Sequence, residues 1–560
     1  MYCESLSAIG LTWGFMSTAT YFDLGTHHRA ITTTSETAQT WFDRGLNWTF
    51  GFNHEEAIVC FENALAEDPN CAMAHWGIAY CIGPNYNKYW EMFAYPEKVN
   101  ALDTAHKAIT QGLAIEDLPA TEQALLTALQ IRYPTDPDIE EFGPFNDAFA
   151  DAMREVYNNH PEDLDVASLF AEALMGRTPW QLWDLQTGTP KSGASTEEAR
   201  GVLEHAFESD PAAWSHPGLL HMYIHLMEMS PTPELALRHG DSLSTLVPDS
   251  GHLLHMATHI DVLCGEYQNV IARNHLAAIA DKGFEDLRGA ENFYTVYRIH
   301  NVHFEAYGAM FLAQKQVALT AAEELLQLLP EPVVAYLPDL FEAFWGVKSH
   351  VMVRFGMWED ILAEALPADA ELFSFTTALQ RYARVIALSN LDRHEEASTE
   401  LEHFFAARDA VQETRFMFNN PASEVLKIAA EMAQGELQYK TGNIEVGFEH
   451  LRQAAHLSDN LFYDEPWGWM QPPRHALAAL LMEQQRFDEA EEIYRADLGY
   501  TSELPRPCQH PGNVWALHGL HECLTHRNDD QEAVYVKHLL DKVQARADVT
   551  IGASCYCRTR

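Results

Sequence analysis

Basic residues are scarce in this chain: 36 Lys and Arg stand against 81 Asp and Glu, a formal net charge of −45 over 560 residues. So strong an anionic field repels polyanions, which excludes nucleic acid and anionic membrane surfaces as partners. Most of these acids serve surface solvation. Long apolar runs are lacking too. No stretch of 18 apolar residues occurs, so no membrane span is expected. The mildly apolar run at 8–16 has no basic segment before it and follows Glu4, which argues against a secretory signal. A cytoplasmic protein is expected.

Cysteine is sparse: nine residues, odd in number, scattered, with no CxxC. That excludes a disulfide scaffold. Cys555 and Cys557 form a lone CxC, expected to lie in a frayed tail rather than to bind or deliver metal. Cys264 has no nucleophile context. Also missing are a Gly-rich phosphate loop after a strand and a GxSxG elbow, so neither a nucleotide cofactor nor a serine hydrolase is expected.

Histidine is what the chain has in excess, 28 residues, and the spacing of a few of them is informative. His221, His225 and Glu228 lie at i, i+4, i+7; His252, His255 and His259 at i, i+3, i+7; His300 and His303 about one turn apart. At ~100° per residue each set occupies one helix face. Their flanks are apolar: Leu219, Leu220, Tyr223, Ile224, Leu253, Leu254 and Met256. Clustered imidazoles among apolar residues are costly unless paired or bound to metal. The spacing therefore predicts three helical faces converging on a metal site. A buried polar network is the competing reading. Seven histidines and one carboxylate exceed a single four-coordinate ion, so a dinuclear centre, or one ion with supporting hydrogen bonds, is expected. His216, just before a proline, is left unassigned.

A repeat surrounds this stretch. Trp41, Gly45, Ala57, Phe61, Ala64 and Pro69 sit at positions 4, 8, 20, 24, 27 and 32 of the 34-residue tetratricopeptide repeat, a pair of antiparallel helices. Gly435, Gly447, Leu451 and Ala454 repeat the pattern, as do Ala478, Ala490 and Tyr494, and Trp515 and Gly519 open another copy. Neither helix of such a unit buries its apolar face alone, so the units stack. The expectation is an all-α superhelix, possible closure around a histidine-rich cavity included. It divides into an irregular arm (1–33), N-terminal repeat helices (34–210), a histidine-rich core segment (211–305), C-terminal repeat helices (306–550) and a tail (551–560). Three stretches rich in Gly, Pro, Asn and aromatics interrupt it, at 83–90, 175–195 and 464–475. Such loops commonly carry binding contacts.

On these residues the chain resembles a histidine-rich subfamily of tetratricopeptide-repeat (TPR) proteins found in bacteria and fungi. The carriers are FNHEEA (52–57), AMAHWGIAYCIGPNYN (72–87), HMYIHLMEMSPTPELAL (221–237), GHLLHMATHI (251–260), HNVHF (300–304), EEIYRADL (491–498) and NVWALHGL (513–520). The resemblance implies a TPR superhelix with a histidine-rich interior. It gives no reaction, though fungal members resemble accessory enzymes of specialised metabolism, which favours an enzyme.

The ligand chemistry narrows the metal. Oxygen-seeking Mg²⁺ and Ca²⁺ are excluded; imidazoles suit copper, iron and zinc. Three histidines per ion over two ions would resemble coupled dicopper proteins, whereas His221, His225 and Glu228 would suit non-haem iron. The leading expectation is a copper- or iron-dependent oxidoreductase or oxygenase acting on a small aromatic or apolar metabolite. Its metal ligands are His221, His225, His252, His255, His259, His300 and His303. Its catalytic residues are Glu228, His54 and Glu55. Its substrate contacts are Tyr294, Tyr297, Asn85, Asn87, Trp467 and His75, with Trp469 as a further wall. A polar capping role competes at Asn53, His54 and Glu55, which fall on the turn of the first repeat. The alternatives are a zinc hydrolase or lyase with Glu228 as general base, and a non-enzymatic TPR scaffold binding a peptide or protein. Across the three clusters the sole basic side chain is Arg298, which serves an acidic peptide poorly.

Overall fold

Among the described residues six turns share one backbone geometry. Two residues beyond the end of a helix the chain turns left-handed, and two residues later the next helix begins. The residues at the bend are Phe52 (φ 55°), Ala313 (φ 54°), Gly356 (φ 63°), Asp392 (φ 58°), Gly442 (φ 91°) and Gln485 (φ 60°). Each turn is closed by a backbone bond reaching back five residues, such as Asn53 N to Trp48 O at 3.0 Å, Gln314 N to Ala309 O at 2.9 Å and Arg486 N to Leu481 O at 2.9 Å. This is the Schellman closure, which satisfies the last carbonyls of the first helix. The turns join the helices Glu36–Phe50 to His54–Glu67, Thr295–Phe311 to Lys315–Leu328, Val347–Arg354 to Trp358–Ala363, Ser374–Asn390 to His394–Asp409, Ala422–Lys440 to Ile444–Asp459, and Pro473–Glu483 to Phe487–Asp497. A computed structural model describes residues 21–527 and 529–558. The 8–16 run and Cys3 lie outside the described residues.

The helix pairs pack as the repeat pattern requires. A side chain at Gly45 or Gly77 would place its Cβ 2.5 Å from the Phe61 ring; the aromatic is wedged between its own repeat and the next. Tyr494 fills the same role against Gly519, and Leu451 against Gly435. The fold is an all-α, TPR-like superhelix. Among the described residues the strands are two-residue antiparallel pairs within loops, Trp183–Asp184 with Thr189–Pro190 and Phe416–Met417 with Asn420–Pro421. No helix among the described residues is long and apolar enough to cross a membrane.

The superhelix closes on its middle. Arg288 binds Glu56 at 2.6 Å, joining the central segment to the first repeat. From the other side Tyr463 Oη donates to the Glu228 carbonyl at 3.1 Å, and Trp515 Nε1 donates to the Met310 carbonyl at 2.7 Å. The central histidine helices are thus enclosed by both arms of the chain.

The C-terminal residues depart from the expected frayed tail. Ile551, Ala553 and Cys557 are buried. Ser554 Oγ meets Tyr494 Oη at 2.5 Å, Lys440 Nζ donates to the Cys557 carbonyl at 2.6 Å, and Arg558 pairs with Glu522. Cys555 and Cys557 are joined as a disulfide.

Candidate metal centre

The helix Pro217–Met227 starts on His216, whose Nδ1 accepts the Leu219 N–H at 3.1 Å. It carries His221 and His225, with Glu228 just past its end. The second histidine segment is broken into Gly251–His255 and Ala257–Cys264. At the break the His259 N–H bonds to Met256 O at 3.2 Å, a three-residue step. That step tightens the turn beyond α-helical pitch. The third segment is the helix Thr295–Phe311 with His300 and His303.

All of these side chains are buried, and six of the histidines form two sets of three. In the first, His221, His225 and His252 each place one ligand atom within 4.8 Å of the other two; in the second, His255, His259 and His300 do the same. His221 and His252 face each other through Nε2 atoms 3.2 Å apart. His255 and His259 do so at 2.6 Å. The sets are neighbours: the rings of His225 and His259 lie 5.8 Å apart and those of His252 and His255 6.0 Å.

The hydrogen bonds behind the rings assign two tautomers. His221 Nδ1 lies 2.7 Å from the Phe50 carbonyl. A carbonyl only accepts, so the proton is on Nδ1 and Nε2 presents a lone pair. His255 Nδ1 lies 2.7 Å from Asn274 Oδ1. The Asn274 amide is oriented by donating to Val270 O at 2.8 Å, so His255 Nε2 is likewise a lone pair. Glu228 takes His225 Nδ1 at 3.0 Å on one oxygen and His259 Nδ1 at 2.6 Å on the other. One carboxylate thus orients one ring of each set. Burial holds His221, His225, His252, His255 and His300 well below the usual imidazole range, so these rings are neutral.

A second carboxyl, Glu465, also contacts His259 Nδ1 and the Tyr463 hydroxyl. Burial raises both acids, Glu228 to about 8. Among the described residues neither has a lysine or arginine as ion-pair partner. Aromatic rings wall the centre. Phe52, the bend residue of the first repeat, lies 4.5 Å from His221 and stacks on His225 and His252. Phe304 stacks on His259 at 5.6 Å.

The expected site residues divide. His303 stands apart from both sets, against Phe344 and Phe418, with neither ring nitrogen hydrogen-bonded. The expected trio of His221, His225 and Glu228 does not gather on one point, because Glu228 lies on the Nδ1 side of His225 and groups instead with His225 and His259. A cavity of about 100 Å³ is lined by His252, His259 and His300 together with Asn87 and Tyr297. Asn85, Tyr294, His54 and Glu55 line a separate cavity of about 160 Å³. His54 is buried there, its Nδ1 on the Cys81 carbonyl at 3.1 Å; the exposed position usual in such repeats is not seen. Trp467 donates to the Ser458 carbonyl and lies outside both cavities, as does Trp469 beside His350. His75 packs against Gly112.

Asn274, Phe52, Trp180 and Glu465 were not among the expected site residues. Trp180 and Glu465 lie in the loops at 175–195 and 464–475, whose composition was the available signal. Asn274 and Phe52 carried none.

His27, Asp165 and His216 form another close set, and here hydrogen bonds account for the geometry. His216 Nδ1 is an acceptor, so its Nε2–H donates to Asp165 Oδ1 at 3.0 Å. His27 bonds the same oxygen at 2.9 Å and Arg29 the other at 2.9 Å. This is a clamp that docks the arm at 21–33.

No family model matches the chain, and no curated protein matches it. Among solved structures, one is the APC/C hetero-tetramer Cut9–Hcn1 (13% identity, 88% of this chain and 78% of that chain, TM-score 0.31). Another is Naa15/Naa10 bound to HypK-THB (13%, 90% and 70%, TM-score 0.20). A third is yeast Tom70 (11%, 90% and 99%, TM-score 0.26). Scores this low carry no argument about this chain.

Proposed function

We propose that this protein is a histidine-rich, TPR-like metalloenzyme, an oxidoreductase that holds two transition-metal ions in adjacent three-histidine sets and acts on a small molecule in the adjoining cavity. The observation that carries the reading is the pair of convergent sets, each with one ring whose tautomer aims a lone pair inward. His221, His225 and His252 would hold one ion, and His255, His259 and His300 the other. Neutral imidazoles at this density suit copper or iron. Two such ions, if bound, would supply electron-transfer chemistry, which a single hydrolytic zinc does not.

The competing account is a metal-free polar core, with protons on His252 Nε2 and His259 Nε2. It leaves His225 Nε2, His252 Nδ1 and His300 Nδ1 buried without partners. Each such group costs about 1–3 kcal/mol. Metal binding in the first set would give His225 Nε2 a partner, its Nδ1 being held by Glu228.

The residues of the chain have separable roles. Glu228, Asn274 and the Phe50 carbonyl orient rings through Nδ1, which also raises ligand basicity. Phe52 and Phe304 exclude water. Glu228 serves orientation in this reading rather than general-base catalysis, because it lies behind the rings. The cytoplasmic location and specialised-metabolism setting inferred from sequence belong to the same reading.

Turnover by the metal-loaded protein should stop under anaerobic conditions and resume with O₂ or another electron acceptor. Activity unchanged without any acceptor would overturn the oxidoreductase reading and favour a hydrolase. A second reading, a scaffold for a protein partner, draws on the exposed apolar residues Val534 and Tyr535 of the last helix and Tyr500 in the loop before the last helix pair. It predicts no turnover under either condition.

A further inference from the structure

The cavity beside His252, His259 and His300 has walls of two kinds. Trp180, Phe293, Phe344 and Phe418 make it aromatic. Set into that apolar surface are polar atoms with nothing to bond. Asn87 Oδ1, Tyr297 Oη, His252 Nδ1 and His300 Nδ1 are all buried and all lack a hydrogen-bond partner, and all four residues line this one cavity. The Asn87 amide reaches the Tyr297 oxygen as a donor, which leaves the Tyr297 hydroxyl proton without an acceptor and Asn87 Oδ1 without a donor. The Tyr297 ring is itself 4.3 Å from the His252 ring, so this polar corner adjoins the first histidine set. Native proteins rarely leave buried polar atoms unpaired; a group of them in one cavity marks where a ligand's polar end belongs.

Charge and size narrow the ligand. No lysine or arginine lines the cavity, while Asp464 and Glu465 do. A carboxylate, phosphate or sulfate has no side chain to receive it. Asp464 is already bonded, by the Asn419 N–H at 3.0 Å and by Asn420 Nδ2, and Glu465 contacts the Tyr463 hydroxyl and His259 Nδ1, so neither calls for a cation. About 100 Å³ is less than the roughly 150 Å³ of an engineered apolar cavity that takes benzene, so the occupant is at most a single ring, with its far edge at the open side of the pocket. The head group must donate to Asn87 Oδ1, an acceptor only, and accept from the Tyr297 hydroxyl, which has no other acceptor. One hydroxyl does both.

We propose that this cavity is the substrate pocket of the metal centre and that it takes an uncharged single-ring aromatic alcohol or phenol, its hydroxyl bonded to Tyr297 Oη and Asn87 Oδ1 beside His252. The proposal rests on the dinuclear reading above for its chemical purpose, and on the cavity alone for binding. Tyr297 and Asn87 determine specificity: they read the hydroxyl, and the aromatic walls accept any flat ring.

The test separates the two claims. The full chain is first assayed for bound metal, then titrated by calorimetry with 4-methylphenol, toluene and 4-methylbenzylamine, with metal and after chelation. In the wild-type protein 4-methylphenol should bind at least tenfold more tightly than toluene and than the amine. Tyr297→Phe and Asn87→Ala should each remove most of that preference while changing toluene affinity less than twofold, and thermal melting should confirm that both variants are folded. The proposal is overturned if none of the probes binds, if toluene or the amine binds as well as 4-methylphenol, or if the preference survives in the double variant. Metal without phenol binding sinks the pocket assignment alone. Phenol binding to a chain that never takes up metal sinks the dinuclear reading and keeps the pocket.

Discussion

At the level of single residues the centre depends on what stands behind each imidazole. Asn274 is the clearest case. Its Oδ1 accepts from His255 Nδ1 and its amide is anchored to Val270 O. Asn274→Leu keeps the volume and removes the acceptor, which frees His255 to carry its proton on Nε2. Affinity of the second set for metal should fall about 10- to 100-fold, the usual effect of losing such a partner, with the far-UV circular dichroism unchanged. His303→Ala, by contrast, should leave metal content as it was. His303 shares a helix with His300 at the same spacing that put both in one expected set, yet its ring turns toward Phe344. Sequence spacing placed the histidines on interior helix faces. It could not divide them between two sets, because His252 and His255 share one short helix yet join different sets, according to which neighbouring helix each ring meets.

Among the helices and turns, the repeats were legible because their code is local. Gly45 with Phe61 and Gly519 with Tyr494 stand at fixed spacing and meet as that spacing requires. The turns carry the same information in their backbone. Gly442 sits at φ 91° with nothing within 4 Å of where a Cβ would point, so Gly442→Ala tests conformation alone. It should destabilise the protein by about 1–2 kcal/mol, read as a lower urea midpoint with an unchanged m-value. Gly251 tests packing instead. A Cβ there would strike the Asp281 carboxyl, which holds Tyr294 at 3.0 Å and Asn301 at 2.7 Å. Gly251→Ala should therefore displace the start of the His252 helix and lower metal content, with a stability cost of about 1–3 kcal/mol. The loops were the illegible part. Glu465 reaches His259 from more than two hundred residues away in sequence, and no local pattern announces such a contact.

Across the whole molecule the arms are fastened to the central segment by buried polar clamps, and one of these gives the protein a pH signature. Asp165 is buried, which by itself would raise it, but hydrogen bonds from His216 and His27 hold it well below the usual carboxylate range; Arg29 adds a further bond at 2.9 Å. A depressed carboxylate stabilises the fold above its unfolded value of about 3.9 and loses that contribution as pH falls through the folded value. Asp165→Asn should cost about 3 kcal/mol at neutral pH, and the gap between the variant and wild type should shrink below about pH 4. Denaturation midpoints between pH 3 and 8 read this directly. The acidic surface sets a second expectation at this scale: divalent cations are drawn toward the molecule, so metal uptake should slow as ionic strength rises.

Metal content of untagged protein, purified without added chelator, bears most directly on the central claim. Elemental analysis should find close to two ions of copper or iron per chain. His252→Ala and His255→Ala should each reduce that to about one, and His221→Ala combined with His255→Ala should reduce it to near zero with helix content intact. A wild-type chain that neither carries nor takes up transition metal, or a double variant that keeps its full complement, would contradict the account.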